Sequence, residues 1–119
     1  MEERRTIPRW EINQEAEVTF EDGACAIPCV VEDINYRGMR VSLRRNLFDD
    51  VFSSFKLALG IDFEINASAS MAWRNQRDDI NTYGLSFNRV DDLTRVRLWD
   101  YIRSRFPDLV SKQLWSGLR

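Results

Sequence analysis

Two short stretches carry residue types able to do chemistry. The first is RRTIPRW, Arg4 to Trp10, in which Arg4, Arg5 and Arg9 fall close together. A guanidinium is a planar fork of donors that matches phosphate oxygens and the O6 and N7 acceptors of guanine. It also stacks on a purine face. Pro8 disfavours helix at Ile7, so the cluster reads as extended or irregular. In an extended segment Arg5 and Arg9 point the same way, about 13 Å apart at ~3.3 Å per residue, and straddle whatever they hold. The second stretch is DINYRG, Asp33 to Gly38. Asp33 and Asn35 are two apart and project from one face of a strand, with Ile34 on the other. The carboxylate accepts from N–H donors, and the amide both donates and accepts. Gly38 permits a positive φ or a close approach where a Cβ would obstruct. Taken separately, the arginines also fit a solvated basic terminus, and Asp-x-Asn-x-x-Gly fits an ordinary Asx-type turn.

The rest of the composition narrows what such residues serve. With 119 residues, 44% hydrophobic and 30% charged, the chain fits one domain with one core. A formal net charge of −2 gives no general attraction for nucleic acid or anionic membrane, so any bound anion is met by a local patch. Of the 17 basic residues only Lys56 and Lys112 are lysines, a bias towards planar recognition that surface ion pairs explain equally well. No histidine is present, which removes the usual general base, the Ser-His-Asp triad and histidine metal sites. Cys25 and Cys29, on one strand face about 13 Å apart at ~3.3 Å per residue, are too distant for a disulfide. They read as small buried hydrophobes, and no metal site or cofactor is expected. No glycine-rich phosphate loop and no marked carboxylate pair appears, so the chain is not read as an enzyme. MEERR is charged, no apolar leader follows it and no run is long enough to span a membrane, so the expected location is the cytoplasm.

The elements that must position these residues are mainly strands. AEVTF (16–20), AIPCVVEDI (26–34), MRVSL (39–43), FKLAL (55–59), FEINASASMAW (63–73) and TYGLSFNRV (82–90) read as six strands at short spacing. Asp22-Gly23 marks a hairpin, Pro28 an edge or a bulge, and RNQRDDIN a polar loop. Met39, Val41 and Leu43 face inward; Arg40, Ser42 and Arg44 face out. The expected fold is a small antiparallel six-stranded β-barrel, closed or nearly so, over 16–90. Asp91 and Asp92 then cap an amphipathic helix over 91–106. Its buried face holds Leu98, Trp99, Ile102 and Phe106, with Val96 at the margin, and Pro107 ends it. The tail, 107–119, carries Leu109, Val110, Leu114 and Trp115 and is expected to pack on the barrel or on a second copy.

Arg5-x-x-x-Arg9 preceded by Arg4, then Asp33-x-Asn35-x-x-Gly38, then a small barrel and a helix together resemble the PilZ domain family. That family carries RxxxR and [D/N]xSxxG in this order. The resemblance covers nearly all of the chain as a single PilZ-like domain, with 1–10 as an arginine arm. It implies a bacterial receptor for cyclic di-guanosine monophosphate (cyclic di-GMP) that changes conformation on binding and signals to a downstream protein. The site it implies is Arg4, Arg5, Arg9, Asp33, Asn35 and Gly38. Trp73, at the end of a strand, corresponds to a tryptophan that some members bring near the ligand. Asn35 departs from the usual serine; its amide keeps the hydrogen-bonding capacity but adds bulk. Together Arg37, Arg40 and Arg44 would widen the positive patch; taken individually they read as a solvated face. The arm, Met1 to about Arg9, is expected to be mobile until ligand neutralises the arginines. The alternative is a PilZ-like interaction module that binds no nucleotide. Single-stranded nucleic acid, which wants exposed aromatics on a basic sheet, is disfavoured by the acidic balance and the absence of an aromatic-basic-aromatic strand.

Overall fold

The computed structural model describes residues 9–20, 26–44, 52–60 and 63–111. Among these, the chain forms β1 (Gln14–Phe20), β2 (Ile27–Ile34), β3 (Gly38–Leu43), β4 (Phe55–Leu59), β5 (Phe63–Ala67), β6 (Ala69–Arg77), β7 (Ile80–Phe87) and α1 (Asp92–Arg105). The sheet runs β5-β4-β1-β2-β3-β7-β6, with antiparallel neighbours throughout.

Alternation places one face of this sheet in the core. Ala16 and Val18 of β1, Met39, Val41 and Leu43 of β3, and Leu57 and Leu59 of β4 are buried. Val31, Ile34, Leu57 and Leu59 are completely enclosed, and each such side chain stabilises the fold by about 1.5–3 kcal/mol. Cys29 is buried among them, and desolvation pushes its thiol up to about 12, so it is chemically inert. Cys25 lies outside the described residues.

Strand count and closure differ from the sequence expectation. FEINASASMAW is not one strand. It breaks at Ser68 into β5 and β6, which stand at opposite ends of the sheet order. The two edges therefore meet at one residue, which curls the sheet towards a barrel without a hydrogen-bonded seam. Asn88 fastens this corner. Its N–H donates to the Ser68 carbonyl (2.8 Å), its Nδ2 to Ser68 Oγ (2.8 Å), and its Oδ1 accepts from Ser70 Oγ (2.9 Å).

The segment read as a polar loop is mostly strand. Arg74 to Arg77 pair with Ile80 to Tyr83, and the turn contracts to Asp78-Asp79, with Asp78 at φ 57. Side chains 74–80 are exposed, so no apolar alternation marks them as strand, while the backbone ladder to β7 holds them there. Pro28 sits in an interior strand rather than at an edge. The β2–β3 ladder stops at Val30↔Ser42, so the missing Pro28 N–H disrupts no bond on that side. The bulge of this strand falls instead at Glu32, between Val31 and Asp33.

Helix α1 begins as its sequence dictates. Asp91 caps it by accepting from the Thr94 N–H at 2.8 Å, a bond that holds the Asp91 carboxyl below its ordinary range. The helix ends at Arg105, before Pro107, and a short helical turn follows over 107–111. Leu98, Tyr101 and Ile102 are buried, with the Tyr101 ring stacked on Phe63 at 4.7 Å. Trp99 packs partly against the core, whereas Val96 is exposed. Val110 of the tail is buried on the core; Leu114 and Trp115 lie outside the described residues. Among the described residues no helix is long and apolar enough to cross a membrane.

Candidate functional site

Sheet register assembles the site. Asp33 of β2 pairs with Arg40 of β3, Arg40 with Gly84 of β7, and Gly84 with Trp73 of β6. These four residues form one row across four strands, spaced by roughly 4.8 Å per strand. Both bulges, at Glu32 and at Ala72, lie beside the row and re-aim its two ends.

Arg9 joins the row through the backbone. Trp10 and Ile34 exchange two N–H···O bonds, each 3.0 Å, and the Asn13 N–H donates to the Glu32 carbonyl at 3.1 Å. The Trp10 side chain, 2% exposed, is anchored against Tyr36 (5.5 Å, edge to face) and Trp99 (6.1 Å). With Trp10 fixed, Arg9 projects into solvent next to Asp33, its Nε 3.9 Å from Asp33 Oδ1. Of the arm expected to be mobile, only Arg9 lies within the described residues, next to the paired Trp10. Arg4 and Arg5 and the rest of the arm lie outside the described residues.

Asp33 is the electrostatic centre. Its side chain is 6% exposed, and its Oδ2 meets Arg40 Nη2 at 2.9 Å. Arg40 also reaches Glu32 through Nε at 3.1 Å. Burial pushes the Asp33 carboxyl above its ordinary value; Arg40 and Arg9 pull it back only in part, and Glu11 and Glu32 add to the rise.

Asn35 has a definite job in the turn. Its Oδ1 accepts from the N–H groups of Arg37 (2.8 Å) and Gly38 (3.0 Å), and its own N–H donates to the Gly38 carbonyl (2.9 Å). This is an Asx turn with the amide oxygen committed to backbone.

The φ of Gly38 is not positive, and the backbone of the neighbouring strand approaches it closely. A Cβ at Gly38 would collide with the Leu85 carbonyl oxygen of β7 and lie 3.3 Å from Ser86 Cα.

A groove of about 340 Å³ results, lined by Arg9, Asp33, Asn35, Gly38, Arg40 and Trp73, with Arg37 and Gly84 beside them. A larger depression, about 920 Å³, opens around Ala16, Ile27 and Leu43 and contains none of these residues. Among the described residues no group of three or more Cys, Asp or Glu is arranged to hold a metal.

Sequence reasoning missed Gly84 and placed Arg40 on a solvated face. Trp73 is 46% exposed, and its indole occupies the space a Cβ at Gly84 would fill. An isolated glycine inside a strand pattern was the available signal. Arg40 gave none, because its position beside Asp33 depends on the bulge. Gly84→Ala is expected to swing the exposed indole away and leave the sheet intact. The Trp73 indole N–H resonance should shift while Tm stays within a few degrees; an unmoved resonance would refute the seat.

The chain matches the sequence model of the PilZ domain over residues 3–104. No curated protein sequence matches it. Its fold is similar to the crystal structure of YcgR from Escherichia coli in complex with c-di-GMP, at 16% identity and a TM-score of 0.67, covering 98% of this chain and 51% of that one. The chain thus spans about half the length of that protein. It is also similar to the PilZ domain of E. coli YcgR with c-di-GMP (16% identity, TM-score 0.68, 93% of this chain and 98% of that one). A third similar structure is the Bacillus subtilis inhibitor of motility MotI/DgrA (16% identity, TM-score 0.64, 95% and 53%).

Proposed function

Because the chain belongs to the PilZ domain family, we propose that it is a receptor for cyclic di-GMP that passes the binding event to a downstream protein. One observation carries the reading. The backbone pairing brings a carboxylate, two guanidiniums and an aromatic face from four separate segments onto one groove. Asp33 accepts from guanine N1–H and N2–H₂, which adenine does not present. Arg9 and Arg40 fork onto phosphate or onto guanine O6 and N7. Trp73 offers its ring to a purine face. Ligand and Asp33 must first rearrange the Arg40 contact, which is the local change available for signalling.

Calorimetric titration tests this. Cyclic di-GMP is expected to bind in the micromolar range or tighter, about −8 kcal/mol. The cyclic di-adenosine analogue should bind far more weakly, since it leaves Asp33 without donors. Absence of heat with both would favour an interaction module that binds no nucleotide, a reading to which the turn-bound Asn35 oxygen lends support.

Binding should also depend on pH through Asp33. The carboxyl must be ionised to accept from guanine, and burial raises its pKa. Affinity is expected to fall as pH drops through that raised pKa, at a higher pH than an ordinary carboxylate would impose. The stability of the free protein has the opposite sign. A carboxyl that holds its proton more readily folded than unfolded stabilises the fold most below its unfolded pKa, and that contribution is lost as pH rises through the folded pKa. Asp33→Asn should therefore flatten the binding profile at reduced affinity and leave the neutral-pH Tm unchanged or higher. A lower Tm would mean that the Arg40 and Arg9 pairs outweigh desolvation.

A further inference from the structure

A second pocket, about 320 Å³, opens on the other side of the Asn35–Gly38 turn. Its lining includes Tyr36, Phe87 and Val90, all half-buried, and three exposed arginines, Arg37, Arg89 and Arg95. They come from three places: the β2–β3 turn, the segment after β7 and the first turns of α1. No carboxylate lines the pocket. The nearby Asp91 side chain is committed to the Thr94 N–H as the helix cap. Among the described residues Arg37 and Arg89 make no ion pair, and Arg95 lies over the Tyr36 ring at 5.8 Å.

Several arginines elsewhere among the described residues are matched by acids: Arg40 with Glu32 and Asp33, Arg44 with Asp79, Arg103 with Asp100. Three unmatched guanidiniums around one pocket repel one another, and the arrangement costs stability unless something negative offsets it. Guanidiniums on an aromatic floor recognise carboxylates bidentately while the floor takes an apolar stem. The pocket is open and its edge is continuous with the groove described above, because Arg37 and Ser86 line both.

We infer that this pocket docks an acidic segment of a partner protein, and that the segment and the nucleotide compete for Arg37. The second half of this inference rests on the cyclic di-GMP reading; the first does not. Arg37 stands in the turn whose backbone Asn35 fixes, so only its side chain is free to choose a side. A dianionic nucleotide in the groove draws that guanidinium across and lowers the positive potential of the pocket. Nucleotide binding then releases the acidic segment, and by linkage the segment weakens nucleotide binding by the same factor. The output of the receptor would be partner release, made by one side chain and requiring no rearrangement of the sheet.

The test uses the full chain and a fluorescein-labelled hexaglutamate peptide, read by fluorescence anisotropy at low salt. The peptide is expected to bind, and the double variant Arg89→Glu/Arg95→Glu to weaken it at least tenfold. The same variant should keep its Tm within a few degrees and its cyclic di-GMP affinity within about twofold. Arg103→Glu, on a part of α1 remote from the pocket lining, should retain peptide binding. Equal losses from Arg103→Glu, or no loss from the double variant, would overturn the docking site. Tighter binding of inorganic pyrophosphate than of the peptide would overturn the assignment to a protein segment. Saturating cyclic di-GMP should weaken the peptide severalfold in the parent and much less in Arg37→Ala. Identical peptide affinity with and without bound nucleotide would overturn the competition. Should calorimetry show no nucleotide binding at all, the receptor reading fails by itself, and the docking site is still judged on the peptide and the two charge-reversal variants.

Discussion

Alanine at Gly38 is expected to be among the most damaging single substitutions in the sheet. The added Cβ would run into the Leu85 carbonyl oxygen, with the Leu85 carbonyl carbon at 3.1 Å and Ser86 Cα at 3.3 Å. All three obstacles are backbone of the adjacent strand, so no side chain can swing aside. β3 and β7 must part at the Gly38↔Ser86 pair. The Phe87 N–H to Arg37 carbonyl bond, 2.7 Å, goes with them. Overpacking of this kind costs about 3 kcal/mol, which corresponds to a fall in Tm on the order of 10 °C for a domain of this size. Thermal denaturation followed by circular dichroism measures it. A Tm within about three degrees of the parent would show that the strands separate freely and that glycine serves something else there. Because the turn also holds Asn35, nucleotide affinity should fall together with stability.

Arg9→Ala is expected to separate binding from stability. The Arg9 side chain is 62% exposed, and its contact with Asp33 is long, at 3.9 Å, so removing it leaves the fold intact. Its guanidinium is the described member of the arginine pair that faces the groove. Losing a charge-assisted bond to phosphate or guanine costs about 1.5–3 kcal/mol, a rise in Kd of roughly ten- to a hundredfold. Titration of cyclic di-GMP into the variant checks this, with the parent Tm as the control. Unchanged affinity would remove Arg9 from the site, and a large drop in Tm would make it structural. A loss of the same order is expected of Arg5→Ala.

Much of this molecule was legible in the chain itself. Apolar alternation marked β1, β2, β3, β4 and β7, because a strand with one face in a core must repeat every second residue. An acidic pair before an apolar face, and a proline after it, marked α1. The two motifs located Arg9, Asp33, Asn35 and Gly38, the family resemblance added Trp73, and the structure brings all five to one groove. Local periodicity, however, says which face a residue takes and not which strand lies beside it. The row Asp33, Arg40, Gly84, Trp73 exists only through register, and bulges at Glu32 and Ala72 shift that register by one residue. The break at Ser68 was hidden because β5 and β6 continue the same extended run on opposite edges. The β6–β7 hairpin was hidden because exposed strand ends carry no apolar signature. The closeness of Gly38 to a carbonyl of a strand 47 positions further along, at Leu85, could not be read from its own motif. Trp10, read only as the end of an arginine motif, proved to be the buried anchor that sets Arg9 against Asp33. Composition and short-range pattern determined the elements and the chemistry available to them. Long-range strand pairing decided which of those side chains share a site, because contacts between distant residues are fixed by packing of the whole sheet and leave no local trace.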